Sequence, residues 1–261
     1  MSEALIRQKL GAIGVSEHLT HDLPPISPSC VGVLVYGSQA RGDAVADSDL
    51  DLLGLVERPQ PSVEQGSISL SYYTENQLAS GVGTLFGAHL SRDSKILWDP
   101  TAQLSSAIAQ MGQVDTARLR RRVRDMSRLF TCRERDVPRY LIGLVRAARY
   151  LLRSSLYAEA MHDGNPCFSV REIARRQGDL ELAQLLSSRS TLSIDVSLLD
   201  SLLTRLKRLT GEFPPNPHGS LESMLINEWG SNADVVLLSF MIISSSTPRV
   251  DSYAEVEKIL L

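Results

Sequence analysis

Cysteine is scarce and scattered: Cys30, Cys132 and Cys167 are the only three in 261 residues, and none forms a CxxC pair. That argues against a zinc site or a disulfide framework and fits a reducing cytosol. Long apolar runs are missing too. The N-terminus carries Glu3, Arg7 and Lys9, unlike a signal peptide. The late apolar stretch at 235–243 is far too short to span a bilayer. A cytoplasmic protein without a membrane partner is therefore expected. The formal net charge is −3, so no global basic excess points to nucleic acid. No GxxxxGK[ST] occurs, which excludes a P-loop, and neither GxSxG nor a Ser-His-Asp order stands out. The five histidines do not cluster, and there are no internal repeats or low-complexity segments. What remains is ordinary globular composition, 43 % hydrophobic and 22 % charged, with enough apolar residues for a core.

Periodicity divides the chain. Residues 3–19 read as an amphipathic helix, followed by a connector with Pro24, Pro25 and Pro28. The β-branched run 30–36 reads as a buried strand stopped by Gly37-Ser38. Further strands are expected at 50–56, 67–73 and 96–98, a loop at 58–66, and a glycine-containing helix at 75–90. From Thr101 helical periodicity takes over, with helices expected near 101–111, 115–132, 137–162, 169–176, 179–187, 195–210, 219–229 and 233–244. The fold class is thus α+β, a small mixed-sheet domain followed by an all-α one. The expected organisation is an N-terminal helix and linker at 1–29, a sheet domain at 30–113 and a helical domain at 114–261.

The chemistry concentrates at 37–52, GSQARGDAVADSDLDL. Gly37-Ser38 sits where a strand ends and a helix begins. Glycine permits a sharp turn and close approach of a ligand. The helix start presents free N–H groups toward an anion. Ser38 adds a hydroxyl, and Arg41 a permanent charge suited to phosphate oxygens. Asp49 and Asp51 stand two residues apart at the start of the next strand, so both carboxylates share a face. Beside a phosphate site they repel unless a cation lies between them, and magnesium, or manganese, is the natural one. Ser48 caps or orients the strand start.

With these residues in view, GS-x-A-RG followed by SD-x-DL resembles the DNA polymerase β-type nucleotidyltransferase superfamily. The layout, a small domain followed by helices, is most similar to its bacterial aminoglycoside-modifying and antitoxin-type members. The resemblance implies that Gly37 and Ser38 hold the triphosphate of an NTP, with ATP the expected one. It makes Asp49 and Asp51 the catalytic metal ligands, while Arg41, by its charge, and Ser48, beside the strand start, are expected in the nucleotide site. It further implies transfer of an NMP to a hydroxyl-type acceptor with release of pyrophosphate.

The sequence departs from that family at one place. Active members usually carry a third carboxylate on the neighbouring strand, to complete the metal site or act as base. Here that strand offers Ser67, Ser69 and Ser71. Glu64 and Glu75 flank it without fitting an inward position, and Glu134, Asp136, Glu159 and Asp163 of the helical part are other candidates. Two readings follow: an enzyme, or a catalytically impaired nucleotide-binding or antitoxin-like regulatory protein of the same fold. Segment 118–139 is rich in arginine (Arg118, Arg120, Arg121, Arg122, Arg124, Arg128, Arg133, Arg135, Arg139). It reads either as a surface for RNA or an acidic protein, or as a solvated face with internal ion pairs. His162 lacks the short arginine-to-histidine spacing of a HEPN-type ribonuclease, and His218 reads as a loop residue.

Overall fold

The computed structural model describes residues 3–46, 48–186 and 193–245. The described residues divide into two compact units, one ending at Val114 and the other beginning at Asp115. The architecture is α+β: a mixed five-stranded sheet with helices, then, among the described residues, helices alone.

In the first unit, helices α1 (Glu3–Ala12) and α2 (Glu17–His21) precede strand β1 (Cys30–Tyr36), helix α3 (Gly37–Arg41) and strand β2 (Leu50–Val56). Strands β3 (Val63–Gln65) and β4 (Ile68–Tyr73) follow, then helices α4 (Glu75–Ala79) and α5 (Leu85–Asp93), strand β5 (Ser94–Trp98) and helix α6 (Gln103–Ala109). The strand order is β3-β4-β2-β1-β5. β1 is antiparallel to both β2 and β5, β2 is parallel to β4, and β3 is antiparallel to β4.

Each face of the sheet buries its own cluster, as strand alternation dictates. Val33, Val35, Leu50, Leu52, Ile68 and Leu70 pack with Ile6 and Leu10 of α1 and Leu19 of α2. Leu34, Tyr36, Leu53, Leu55 and Tyr73 pack with Leu78 of α4, Phe86 and Leu90 of α5 and Leu104 of α6. Arg7 ties α1 to the end of α2 by donating to the Thr20 and His21 carbonyls at 2.6 and 2.7 Å.

Three local readings change. The helix expected at 3–19 is two helices. The helix expected at 75–90 is also two, each with its own threonine cap: Thr74 forms a capping box with Gln77, and the Thr84 hydroxyl accepts from the Gly87 amide. The loop expected at 58–66 contains β3, whose three residues Val63, Glu64 and Gln65 give too short a run to show alternation.

In the second unit, α7 (Thr116–Met126) leads through a 3₁₀ turn (Ser127–Phe130) into the long α8 (Arg133–His162). α8 is kinked at Tyr140, two residues after Pro138. α9 (Val170–Gln177), α10 (Glu181–Leu186), α11 (Val196–Thr210), α12 (Leu221–Asn227) and α13 (Ala233–Ser244) complete it. α8 is the central member, packed by α7, α11 and α13. The last residue of the helix expected at 179–187, and the end of the expected 114–261 domain from 246 on, lie outside the described residues.

α8 and α13 meet at Gly143, where an added Cβ would stand 2.1 Å from the Ile242 carbonyl oxygen. Gly143→Ala should therefore force the helices apart and lower stability by about 1–3 kcal/mol, read as a lower urea midpoint. Gly11→Ala in α1 meets nothing within 4 Å and should raise stability, by at most about 1 kcal/mol. Equal midpoints for Gly143→Ala and wild type would contradict the close crossing.

Candidate active site

The site forms where β1 ends. Tyr36 is the last residue of β1 and lies opposite Asp51 in the antiparallel register with β2. The next residue, Gly37, takes φ +76°, a left-handed conformation that side-chain-bearing residues rarely adopt. A Cβ there would come within 3.1 Å of Asp51 Oδ2. Glycine thus serves twice: it allows the turn and keeps space open beside a carboxylate. Ser38, half-buried, occupies the second position of α3. α3 closes on Gly42 and Asp43, whose amides both return to the Ser38 carbonyl, at 3.0 and 3.2 Å.

Asp49 and Asp51 flank Leu50. Leu50 is fully buried in the cluster beneath α1, and its amide donates to the Ser67 carbonyl at 2.8 Å. Alternation therefore turns Asp51 to the opposite face, toward α5, while Asp49 immediately precedes the strand. Both aspartates are half-buried. The negative charge of Asp51 adds to burial in holding the Tyr36 hydroxyl well above its ordinary pKa. Ser48 closes the loop in front of the strand: its hydroxyl accepts from the Val45 amide at 2.8 Å, and its own amide donates to the Val45 carbonyl at 2.9 Å.

Arg41 is engaged by carboxylates. Its Nη1 lies 3.0 Å from Asp93 Oδ2 and 3.3 Å from His89 Nε2, while Nε reaches Asp43 at 3.1 Å. The Asp93 side chain is 4 % exposed, and burial raises its pKa despite the neighbouring Arg41, which lowers it. A buried carboxylate needs a cation, and Arg41, the arginine expected at the phosphates, supplies it and so joins α3 to the end of α5.

β4 contributes hydroxyls. Ser69 lies directly beside Asp51 in the parallel register, with Ser71 beside Leu53. Beyond Ser69, Glu64 of β3 is its register partner. Sequence reasoning missed this placement because β3 itself was not visible.

Glu75 opens α4 of the first unit, and the remaining candidates sit in the second. The buried Asp136 accepts from the Leu221 amide at 3.4 Å, and Glu159 faces Gln177 at 3.4 Å. His162 lies 3.5 Å from the Thr116 hydroxyl, and His218 is 3.1 Å from Glu228. The arginine-rich segment is sorted by its partners. Arg122 forms a bidentate pair with Asp234 at 2.7 and 2.8 Å, Arg128 pairs with Asp125, and Arg139 approaches Glu222 at 3.4 Å. Arg118, Arg120, Arg121 and Arg124 are exposed.

Among the described residues, no group of three or more His, Cys, Asp or Glu side chains is placed to hold a metal ion by itself, and no helix is long and apolar enough to cross a membrane. No protein-family model and no curated protein matches the chain. Among solved structures it is similar to the crystal structure of spectinomycin adenyltransferase from Enterococcus faecialis with ATP and spectinomycin. The identity is 12 % and the TM-score 0.34, over 92 % of this chain and 98 % of that one. At that TM-score the likeness adds nothing to the geometry.

The Arg41–Asp93 tie makes a pH-dependent prediction. Arg41→Met leaves Asp93 buried without the guanidinium that lowers its pKa, and should cost about 3 kcal/mol near neutral pH. The folded pKa of Asp93 is raised above its unfolded value and rises further in the variant. Proton uptake therefore favours the folded form, and the deficit should shrink as pH falls through that raised value. Urea unfolding at a series of pH values checks this. A deficit independent of pH would contradict it.

Proposed function

We propose that this chain is a nucleotidyltransferase of the polymerase-β type, which moves an NMP from a magnesium-bound NTP, ATP in the first instance, to a hydroxyl-type acceptor. The observation that carries the reading is the approach of the Gly37 turn to Asp51, with a second aspartate, Asp49, two residues before it. Two carboxylates beside a glycine turn supply oxygen donors and open space, the donor set a magnesium–triphosphate needs. Bound there, the metal would neutralise charge on the phosphates and on the departing pyrophosphate.

The rest falls to the chain's own residues. Asp49 and Asp51 hold the cation side of the nucleotide and fix the α-phosphate over the strand. Gly37 gives the phosphates room, and the Ser38 hydroxyl donates to them. Ser48, by closing the loop at Val45, sets where Asp49 emerges. Arg41 acts at one remove, holding α3 against α5. Catalysis of this kind is positioning and electrostatic stabilisation. The exposed Arg118, Arg120, Arg121, Arg124, Arg135 and Arg139 are open to an RNA or an acidic protein.

A second reading, a nucleotide-binding or antitoxin-like regulatory protein that has lost turnover, is favoured by the serines that β4 sets beside Asp51 and Leu53. Labelled NTPs incubated with the protein, magnesium and a cell extract separate the two. The enzyme labels an acceptor, whereas the regulator binds nucleotide and labels none. For the enzyme, Asp49→Asn and Asp51→Asn should each lower transfer about a thousandfold or more with the fold intact. Ser38→Ala should weaken magnesium-dependent NTP binding, measured by calorimetry. Transfer at the wild-type rate by both aspartate variants would overturn the proposal.

A further inference from the structure

Building on the transfer reaction proposed above, we infer that Glu64, on the edge strand β3, is the base that takes the acceptor's proton. The orientation of Glu64 follows from its two neighbours. Val63 packs on the apolar cluster beneath α1 and α2, and Gln65 Nε2 donates to the Asp22 carbonyl at the end of α2, 2.9 Å away. Successive strand residues alternate, so Glu64 faces the other way, onto the face that carries Asp51.

The register then places it in one row. Glu64 is opposite Ser69, Ser69 is beside Asp51, and Asp51 is opposite Tyr36. Strands lie about 4.8 Å apart, so Glu64 and Asp51 are separated by about 10 Å between Cα atoms. Only the short side chain of Ser69 stands between them. A larger residue at 69 would fill the row, whereas serine leaves room for an acceptor hydroxyl between two carboxylates that project from one face. Glu64 is exposed, so an acceptor reaches it from solvent, while Asp51 on the inner strand is half-buried. Its place two strands from Asp51 also gives Glu64 a role other than metal ligand.

The step balances on this residue. The acceptor O–H gives its proton to the Glu64 carboxylate, and the acceptor oxygen forms a bond to the α-phosphorus of the nucleotide. The bond from that phosphorus to the α–β bridging oxygen breaks, and pyrophosphate leaves with the electron pair. The carboxyl then returns its proton to solvent.

The test uses the full chain with magnesium, α-labelled ATP and a cell extract as the source of acceptor, so that labelled acceptor and pyrophosphate are the products read. Turnover is followed against pH for wild type, Glu64→Gln, Glu64→Asp and Asp51→Asn, with ATP affinity measured by calorimetry. Glu64→Gln should lower turnover about 10²–10⁴-fold and lose the acid limb of the pH profile, with ATP affinity within about twofold of wild type. Glu64→Asp, which keeps the carboxyl at shorter reach, should fall in between. Wild-type turnover in Glu64→Gln, with Asp51→Asn inactive, would overturn the assignment of Glu64 and leave the transfer reaction standing. Absence of turnover in wild type, or wild-type turnover in Asp51→Asn, would overturn the transfer reaction and the role of Glu64 together.

Discussion

The site depends on one backbone constraint: a turn in the left-handed region at the end of β1, placed against a carboxylate of the adjacent strand. Gly37 at φ +76° can make that turn, and the antiparallel pairing of Tyr36 with Asp51 decides what it meets. A β-branched residue at 37 would be strained and would lie 3.1 Å from Asp51 Oδ2 at its Cβ. The apolar layers on the two faces of the sheet hold both strands in this register. A slip by one residue would turn Leu50 outward and Asp51 into the cluster beneath α1.

The same register carries polar groups across the sheet. Glu64, Ser69, Asp51 and Tyr36 form a line over four strands. The line crosses from an exposed edge to a tyrosine buried among Phe86 and His89, with edge-on ring contacts at 6.1 and 5.8 Å. Next to it, the buried Asp93 meets the half-buried Arg41 and His89 and joins α5 to α3. Burying charge costs stability unless partners are supplied, and here the partners come from the two elements that frame the turn.

Strands β1, β2 and β4 were legible because β-branched runs and alternation survive without tertiary context: 30–36, 50–56 and 67–73 are strands within one residue of those bounds. The α+β class followed from the loss of that alternation after Trp98. β3 was not legible, since Val63, Glu64 and Gln65 become a strand only by pairing with β4. The break between α4 and α5 was hidden because the residues on either side keep helical spacing, and the Thr84 cap competes only locally. At the site, the type and spacing of Gly37, Asp49 and Asp51 suggested their face. The engagement of Arg41 by Asp93, 52 positions away, could not be read from a motif. The arginine-rich segment poses the same difficulty, because Arg122 finds Asp234 at a separation of 112 residues.

The central claim is that Asp49 and Asp51 jointly hold the cation of a bound nucleotide at the Gly37 turn. A crystal structure of the full chain with manganese and a non-hydrolysable ATP analogue tests it most directly, because the anomalous signal of manganese locates the ion. The account predicts an anomalous peak at about 2.0–2.3 Å from a carboxylate oxygen of both Asp49 and Asp51, with the triphosphate against Gly37 and Ser38. Manganese and nucleotide bound elsewhere, with the two aspartates unliganded, would contradict it.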